Sequence, residues 1–157
     1  MTREQFITKV ESGQKAFRRF LTGICCGDKF MADDIAQDAY LKAYLAFDTL
    51  EDETKFNAWL YRIGYNTFIS HSRQSTHTTD YAEAMTVAHS EPDDNSELYR
   101  ALDRLSPKER MVVLLFYMED LSVKEIAEIT QATSAAVRQQ LTRARIHLRQ
   151  LLSTSSL

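Results

Sequence analysis

Apolar residues along this chain return at intervals of three and four, the spacing that places them on one side of an α-helix. Phe6, Val10, Phe17, Phe20, Leu21 and Ile24 set out a first helix, and Gly23 and Gly27 near its end read as stops. Ala32 to Phe47 predicts a second helix, with Ile35, Ala39, Leu41 or Lys42, Ala43 and Leu45 around it. Asp33 and Asp34 stand at its expected N-terminus, where the helix dipole favours acids. After a charged loop, LEDET, a third helix is expected from about Lys55 to Arg73, with the stripe Phe56, Trp59, Leu60, Ile63 and Thr67 and with Phe68 and Ile69 beside it.

The periodicity then stops. Residues 75–97, STHTTDYAEAMTVAHSEPDDNSE, are rich in Ser, Thr, Asp and Glu and read as a linker with one short helical patch near Tyr81 to Val87. Beyond it a helix begins near Ser96. Ser106-Pro107-Lys108-Glu109 and Ser122-Val123-Lys124-Glu125 each spell a capping box, the first with Pro at the opening helical position. They predict helices at about 107–118 and 122–130, followed by a third at about 134–152. No internal repeat is visible. The fold class is all-α: two small helical domains, residues 1–74 and 98–157, joined by an acidic linker at 75–97.

Composition narrows the function more than the fold. Hydrophobic residues make up 44% and aromatics 10%, enough for real cores, while 4 Gly and 2 Pro argue against a loop-rich β architecture. The longest apolar runs, such as VVLLFYM at 112–118, fall far short of the roughly 20 residues of a membrane span. The N-terminus lacks the apolar stretch of a secretory signal, so a soluble, cytoplasmic protein without membrane insertion is expected. Cys25 and Cys26 are neighbours, and the four histidines have no ligand spacing. Reduced thiols, no metal and no cofactor are the expectation. There is no Gly-rich phosphate loop and no nucleophile with a base at motif spacing, so no enzyme is expected.

Charge changes the picture again. The chain carries a formal net charge of -3, yet residues 75–97 hold six acids and no Lys or Arg, and no acid occurs from Gln131 to Leu157. The last two helices have helix-turn-helix proportions. Val123, Ile126, Ala127 and Ile129 face one way on the first, and Val137, Leu141, Ala144, Leu148 and Leu151 form the buried stripe of the second. Ser134, Ala135, Arg138, Gln139, Thr142, Arg143 and Arg149 then fall outward, with Arg145 flanking. Arg can bond guanine edges and Gln adenine edges in a major groove, and small residues at the helix start permit close approach. The turn at Thr130 to Thr133 has Gln131 or Ala132 where a Gly is usual, at a cost of around 1 kcal/mol for a left-handed residue.

Both halves together resemble the sigma-70 family, and in particular its extracytoplasmic function (ECF, group IV) RNA polymerase sigma factors. SPKERMVVLLFYMEDLSVKEIAEITQATSAAVRQQLTRARIHLRQLL is similar to region 4, and ADDIAQDAYLKAYLAFDTL followed by FNAWLYRIGYNTFISHSR is similar to region 2. The resemblance implies a factor that binds core RNA polymerase, at the β′ coiled coil and β flap, and directs promoter-specific initiation. It assigns Asp33, Asp34, Gln37, Asp38, Tyr40 and Leu41 to polymerase binding. It gives the loop Leu50 to Lys55 a base flipped from the minus-ten element, with Lys55, Phe56, Arg62, Tyr65, Asn66 and Arg73 as DNA contacts. The minus-thirty-five element falls to Ser134, Ala135, Arg138, Gln139, Thr142, Arg143 and Arg145. Among these Arg138 and Gln139 are expected to read bases, and Arg143 and Arg145 to hold phosphate. Trp59 is expected mainly in packing, and an anti-sigma factor is the implied regulator.

One departure stands out. Where relatives continue the third helix with basic residues, this chain reads SHSRQSTHTTD, with Arg73 as the only fixed positive charge. Weaker capture of duplex DNA by the free protein is therefore expected. The same feature motivates the alternative of a sigma-like decoy or adaptor that binds an anti-sigma factor without initiating transcription.

Overall fold

A computed structural model describes residues 1–75 and 96–155; the helical patch expected near Tyr81 lies outside them. Among the described residues the architecture is all-α. Seven α-helices follow one another: α1 (Arg3–Ile24), α2 (Lys29–Ala46), α3 (Phe56–Ser75), α4 (Ser96–Asp103), α5 (Pro107–Tyr117), α6 (Val123–Thr130) and α7 (Ser134–Ser155). Two short 3-10 turns, Phe47–Thr49 and Glu53–Lys55, bridge α2 and α3.

Each helix start has a chemical cause. The Thr2 side chain accepts from the Gln5 amide while Gln5 reaches back to the Thr2 amide, a capping box at the head of α1. The second helix opens earlier than Ala32. Asp28 is its N-cap, accepting from the Met31 amide at 3.0 Å, so Asp33 and Asp34 sit in the second turn and not at the end of the dipole. Ser106 caps α5 through the Glu109 amide at 3.2 Å, with Pro107 at the first helical position. The expected reciprocal half of that box is absent, because the Glu109 carboxylate turns to His147 on α7 at 3.0 Å. At Ser122 the full box forms with Glu125.

The first three helices pack around Phe17, Phe20, Leu21, Ile24 and Ile35, all buried. Facing them, α2 presents Ala32, Ala36, Ala39 and Ala43, small enough for the helices to approach closely. The stripe expected on α2 is thereby trimmed: Ile35, Ala39 and Ala43 are inside, but Leu41 is exposed and Leu45 is 72% exposed. In the second half, Val112, Leu115, Ile126, Val137 and Ala144 are fully enclosed. Each large side chain so buried contributes about 1.5–3 kcal/mol.

The two halves also press against each other. A Cβ on Gly23 would lie 2.8 Å from Leu114 of α5. Gly27 holds a left-handed φ of 88°, and a Cβ there would lie 2.7 Å from the Tyr99 ring on α4. Arg110 completes this seam. Only 7% exposed, it donates to the carbonyls of Leu102, Asp103 and Leu105 in its own half and, at 2.7 Å, to that of Ile24 at the end of α1. Its guanidinium also lies 5.8 Å over the Phe68 ring of α3.

Candidate nucleic-acid interface

The last two helices form a helix-turn-helix whose turn is left-handed at Gln131, with φ 55°. Thr133 caps α7 by accepting from the Ala136 amide at 3.1 Å. Val137, Leu141 and Ala144 are buried, which turns Ala135, Arg138, Gln139, Thr142 and Arg143 outward to solvent; Ser134 is half-buried. The Thr142 hydroxyl donates to the Arg138 carbonyl at 3.0 Å, leaving its lone pairs outward. Arg145 is differently placed. Its Nε donates to the Tyr117 hydroxyl at 2.6 Å, and its guanidinium lies 5.6 Å from the Phe116 ring centroid and 5.7 Å from that of Tyr117. A phosphate would find this arginine already stacked, unlike Arg143.

The residues singled out on α3 and the 3-10 turn before it do not share one fate. Lys55, Asn66 and Arg73 are exposed, and Tyr65 is half-buried, its phenol pushed up by burial. Phe56 corrects the reading of a stacking platform. At 2% exposure it packs edge-on against Phe6, 5.8 Å away, and beside Trp59, because it opens α3 directly over α1. Trp59 is half-buried next to it. Arg62 is engaged: Nη2 donates to the Glu128 carbonyl at 2.7 Å and Nε to the Ile129 carbonyl at 3.1 Å, at the C-terminal end of α6.

On α2, Asp33, Asp34, Gln37, Asp38 and Leu41 form an exposed face, joined by Leu45 and Tyr44. Asp33 pairs with Arg18 at 2.7 Å and Asp38 with His71 at 2.7 Å. Tyr40 leaves this face. Its ring lies 5.3 Å from Phe17, its hydroxyl is buried without a hydrogen-bond partner, and burial pushes the phenol up against the opposing charge of Arg18.

Residues 10–78 match the sequence profile of sigma-70 region 2, and residues 95–148 that of sigma-70 region 4. Over 147 residues the chain is 31% identical to the ECF RNA polymerase sigma factor SigW of Bacillus subtilis, covering 80% of this chain and 78% of that one. The chain belongs to the sigma-70 family. It is an ECF sigma factor, a protein that directs transcription initiation. The ECF RNA polymerase sigma-E factor of Escherichia coli is 30% identical over 131 residues, 71% of this chain and 69% of that one. Among solved structures, the sigma factor RpoE bound to the anti-sigma factor NepR from Bartonella quintana matches with a TM-score of 0.79 at 25% identity, over 96% of this chain and 98% of that one.

In this sigma factor no motif in the sequence points to Glu119. It follows the end of α5, and its side chain is 5% exposed, held between two residues of the other half. Arg19 of α1 grips it with both prongs, at 3.3 Å and 3.0 Å, and the Tyr61 hydroxyl of α3 donates to it at 3.1 Å. The hydrogen bond and charge of Glu119 raise the Arg19 pKa, while burial first and Glu119 second push the Tyr61 phenol up. An acid just past an apolar run, with its partners 100 and 58 residues away, has no local signature.

Proposed function

We propose that this sigma factor carries core RNA polymerase to its promoters, with residues 1–74 serving polymerase and the minus-ten element and residues 98–157 the minus-thirty-five element. The observation that carries the reading is the outer face of α7, where Arg138, Gln139, Thr142 and Arg143 stand together over the buried Val137, Leu141 and Ala144. Such a face fits a major groove: Arg138 and Gln139 read base edges, and Arg143 holds phosphate. Exposed Lys55, Asn66 and Arg73 supply polar and charged contacts to the melted strand. The α2 face of Asp33, Asp34, Gln37, Asp38 and Leu41 suits the basic β′ coiled coil, its acids steering and its leucines burying. The β flap is the counterpart for the second half, an anti-sigma factor the regulator, the cytoplasm the site of action, and no chemistry is catalysed. Among the described residues no helix is long and apolar enough to cross a membrane.

Run-off transcription with purified core polymerase tests this. Promoter-dependent transcripts are expected. Stable polymerase binding without transcripts on any promoter would sink the reading in favour of a decoy.

A further inference from the structure

We propose that Tyr117 is a phosphate contact in its own right: its hydroxyl and Arg145 form a two-residue clasp, set on Phe116, that holds one backbone phosphate of a duplex lying against α7. The proposal rests on the function proposed above, since it takes α7 to be the helix that meets duplex DNA.

The rows of α7 place the clasp. Arg138, Thr142, Arg145 and Arg149 recur at intervals of four, three and four, so they form one ridge beside the buried Val137, Leu141 and Ala144. Arg145 follows Arg138 by two turns, about 10 Å along the axis. A helix in a major groove reads bases near its N-terminus and meets the strands that wall the groove further along. There Arg145 touches Tyr117, the last residue of α5.

Three observations give the pair its chemistry. The Phe116 and Tyr117 rings stand edge to face, 5.0 Å apart at 80°, and the Arg145 guanidinium lies 5.6 and 5.7 Å from their centroids. The long arginine side chain is thereby ordered before any ligand arrives, which lowers the entropy cost of binding. Secondly, Arg145 Nε donates to the Tyr117 oxygen at 2.6 Å, and among the described residues neither its Nη groups nor the phenolic O–H finds an acceptor. An oxygen that accepts from a cation is a stronger donor in turn. Tyr117 is 56% exposed and Arg145 is exposed as well, so these donors face solvent. Thirdly, among the described residues no carboxylate lies within ion-pair reach of Arg145, whereas Arg18 and Arg19 are each committed to one. A planar cation beside a phenol, with donors outward and no acid between, suits two oxygens of one phosphate. Packing alone leaves the hydroxyl unexplained, because a Phe at 117 would stack as well.

The test uses the full chain and two fluorescein-labelled duplexes: an unselected random pool, and a sequence that the wild type selects from it. Anisotropy is read across a salt series. Tyr117→Phe keeps the ring and is expected to weaken both duplexes equally, about three- to tenfold, with an unchanged thermal midpoint by circular dichroism. Arg145→Ala is expected to weaken both about tenfold and to flatten the slope of log affinity against log salt by about 1. In the Arg145→Ala background Tyr117→Phe is expected to add nothing, because the clasp acts as one unit. Arg138→Ala is expected instead to erode the preference for the selected sequence. Full affinity in Tyr117→Phe, or the same loss with and without Arg145, overturns the clasp. So does a loss confined to the selected sequence, or one that tracks a lowered thermal midpoint. If selection yields no preferred sequence, or Arg138→Ala binds both duplexes as the wild type does, the proposed reading of α7 fails and the pool still decides the clasp. Binding to neither duplex at low salt overturns the clasp, and run-off transcription then judges the function separately.

Discussion

The two helices expected to meet DNA stand in opposite conditions. On α7, Arg138, Gln139 and Arg143 reach into solvent from a helix whose inner stripe is fully packed. On α3, Phe56 is core, Arg62 is bonded to α6, and Tyr65 is half-buried. One face is therefore open throughout, while the other is mixed, with Lys55, Asn66 and Arg73 exposed beside these occupied side chains.

That contrast can be broken at its strongest point first. Arg110→Met removes the donor to four carbonyls, three in its own half and that of Ile24 across the seam. It is expected to cost about 3–5 kcal/mol and to lower the thermal midpoint by roughly 10 °C, read by circular dichroism. Arg138→Ala leaves the seam alone and strips the open face: affinity for a minus-thirty-five duplex should fall about 10- to 100-fold, with relaxed choice at one base pair. Equal loss on every sequence would make Arg138 a phosphate contact instead.

A steric wedge sharpens the comparison from the other side. Gly23→Ile puts a branched side chain against Leu114 without altering any charge. Amide exchange in α6 is expected to quicken roughly tenfold while the Val137–Ala144 turns of α7 keep their protection. Uniform quickening would mean that the halves are not separable in this way.

The thiols give a smaller effect. Burial pushes Cys25 up to about 12 and Cys26 up to about 11, from a usual 9.0. Folded-state values above the unfolded ones mean that their stabilising contribution is full below about pH 9 and is lost as pH rises through 11 to 12. Alkylation by iodoacetamide at pH 8 should be slow in the native protein and fast in denaturant; rapid native labelling would show a seam that opens readily. Smallest of all, Arg149→Ala should change duplex affinity by no more than about twofold, because a solvated arginine at the far end of α7 reads nothing.

Much of this was legible before any coordinates. Helical periodicity placed every described helix, the Ser122–Glu125 box was written in four letters, and the left-handed turn residue fell on Gln131. The outward set on α7 followed from its stripe. Errors arose where a local rule met a distant partner. Glu109 completes no box because His147 competes for it from α7. Asp28, an unremarkable acid in the sequence, starts α2 a full turn early. Phe56 is core, as its place in the α3 stripe implied, whereas Leu45 is outside, since which apolar residue is buried depends on the neighbouring helix, and periodicity carries no record of it. Glu119, Arg19 and Arg62 were illegible as a group for the same reason: their meeting is a property of how two halves pack, not of any one stretch.

The crossed arginine caps have a consequence for how the molecule comes apart. Two sequence modules would ordinarily melt in two steps. Here Arg110 serves the Ile24 carbonyl, and Arg62 serves those of Glu128 and Ile129, so each module donates to a helix end of the other. Calorimetry should then record one transition, with the measured enthalpy equal to that inferred from its sharpness, and cutting the chain between the halves should leave two fragments that are each less stable than the whole. The cooperative unit of this sigma factor is the pair.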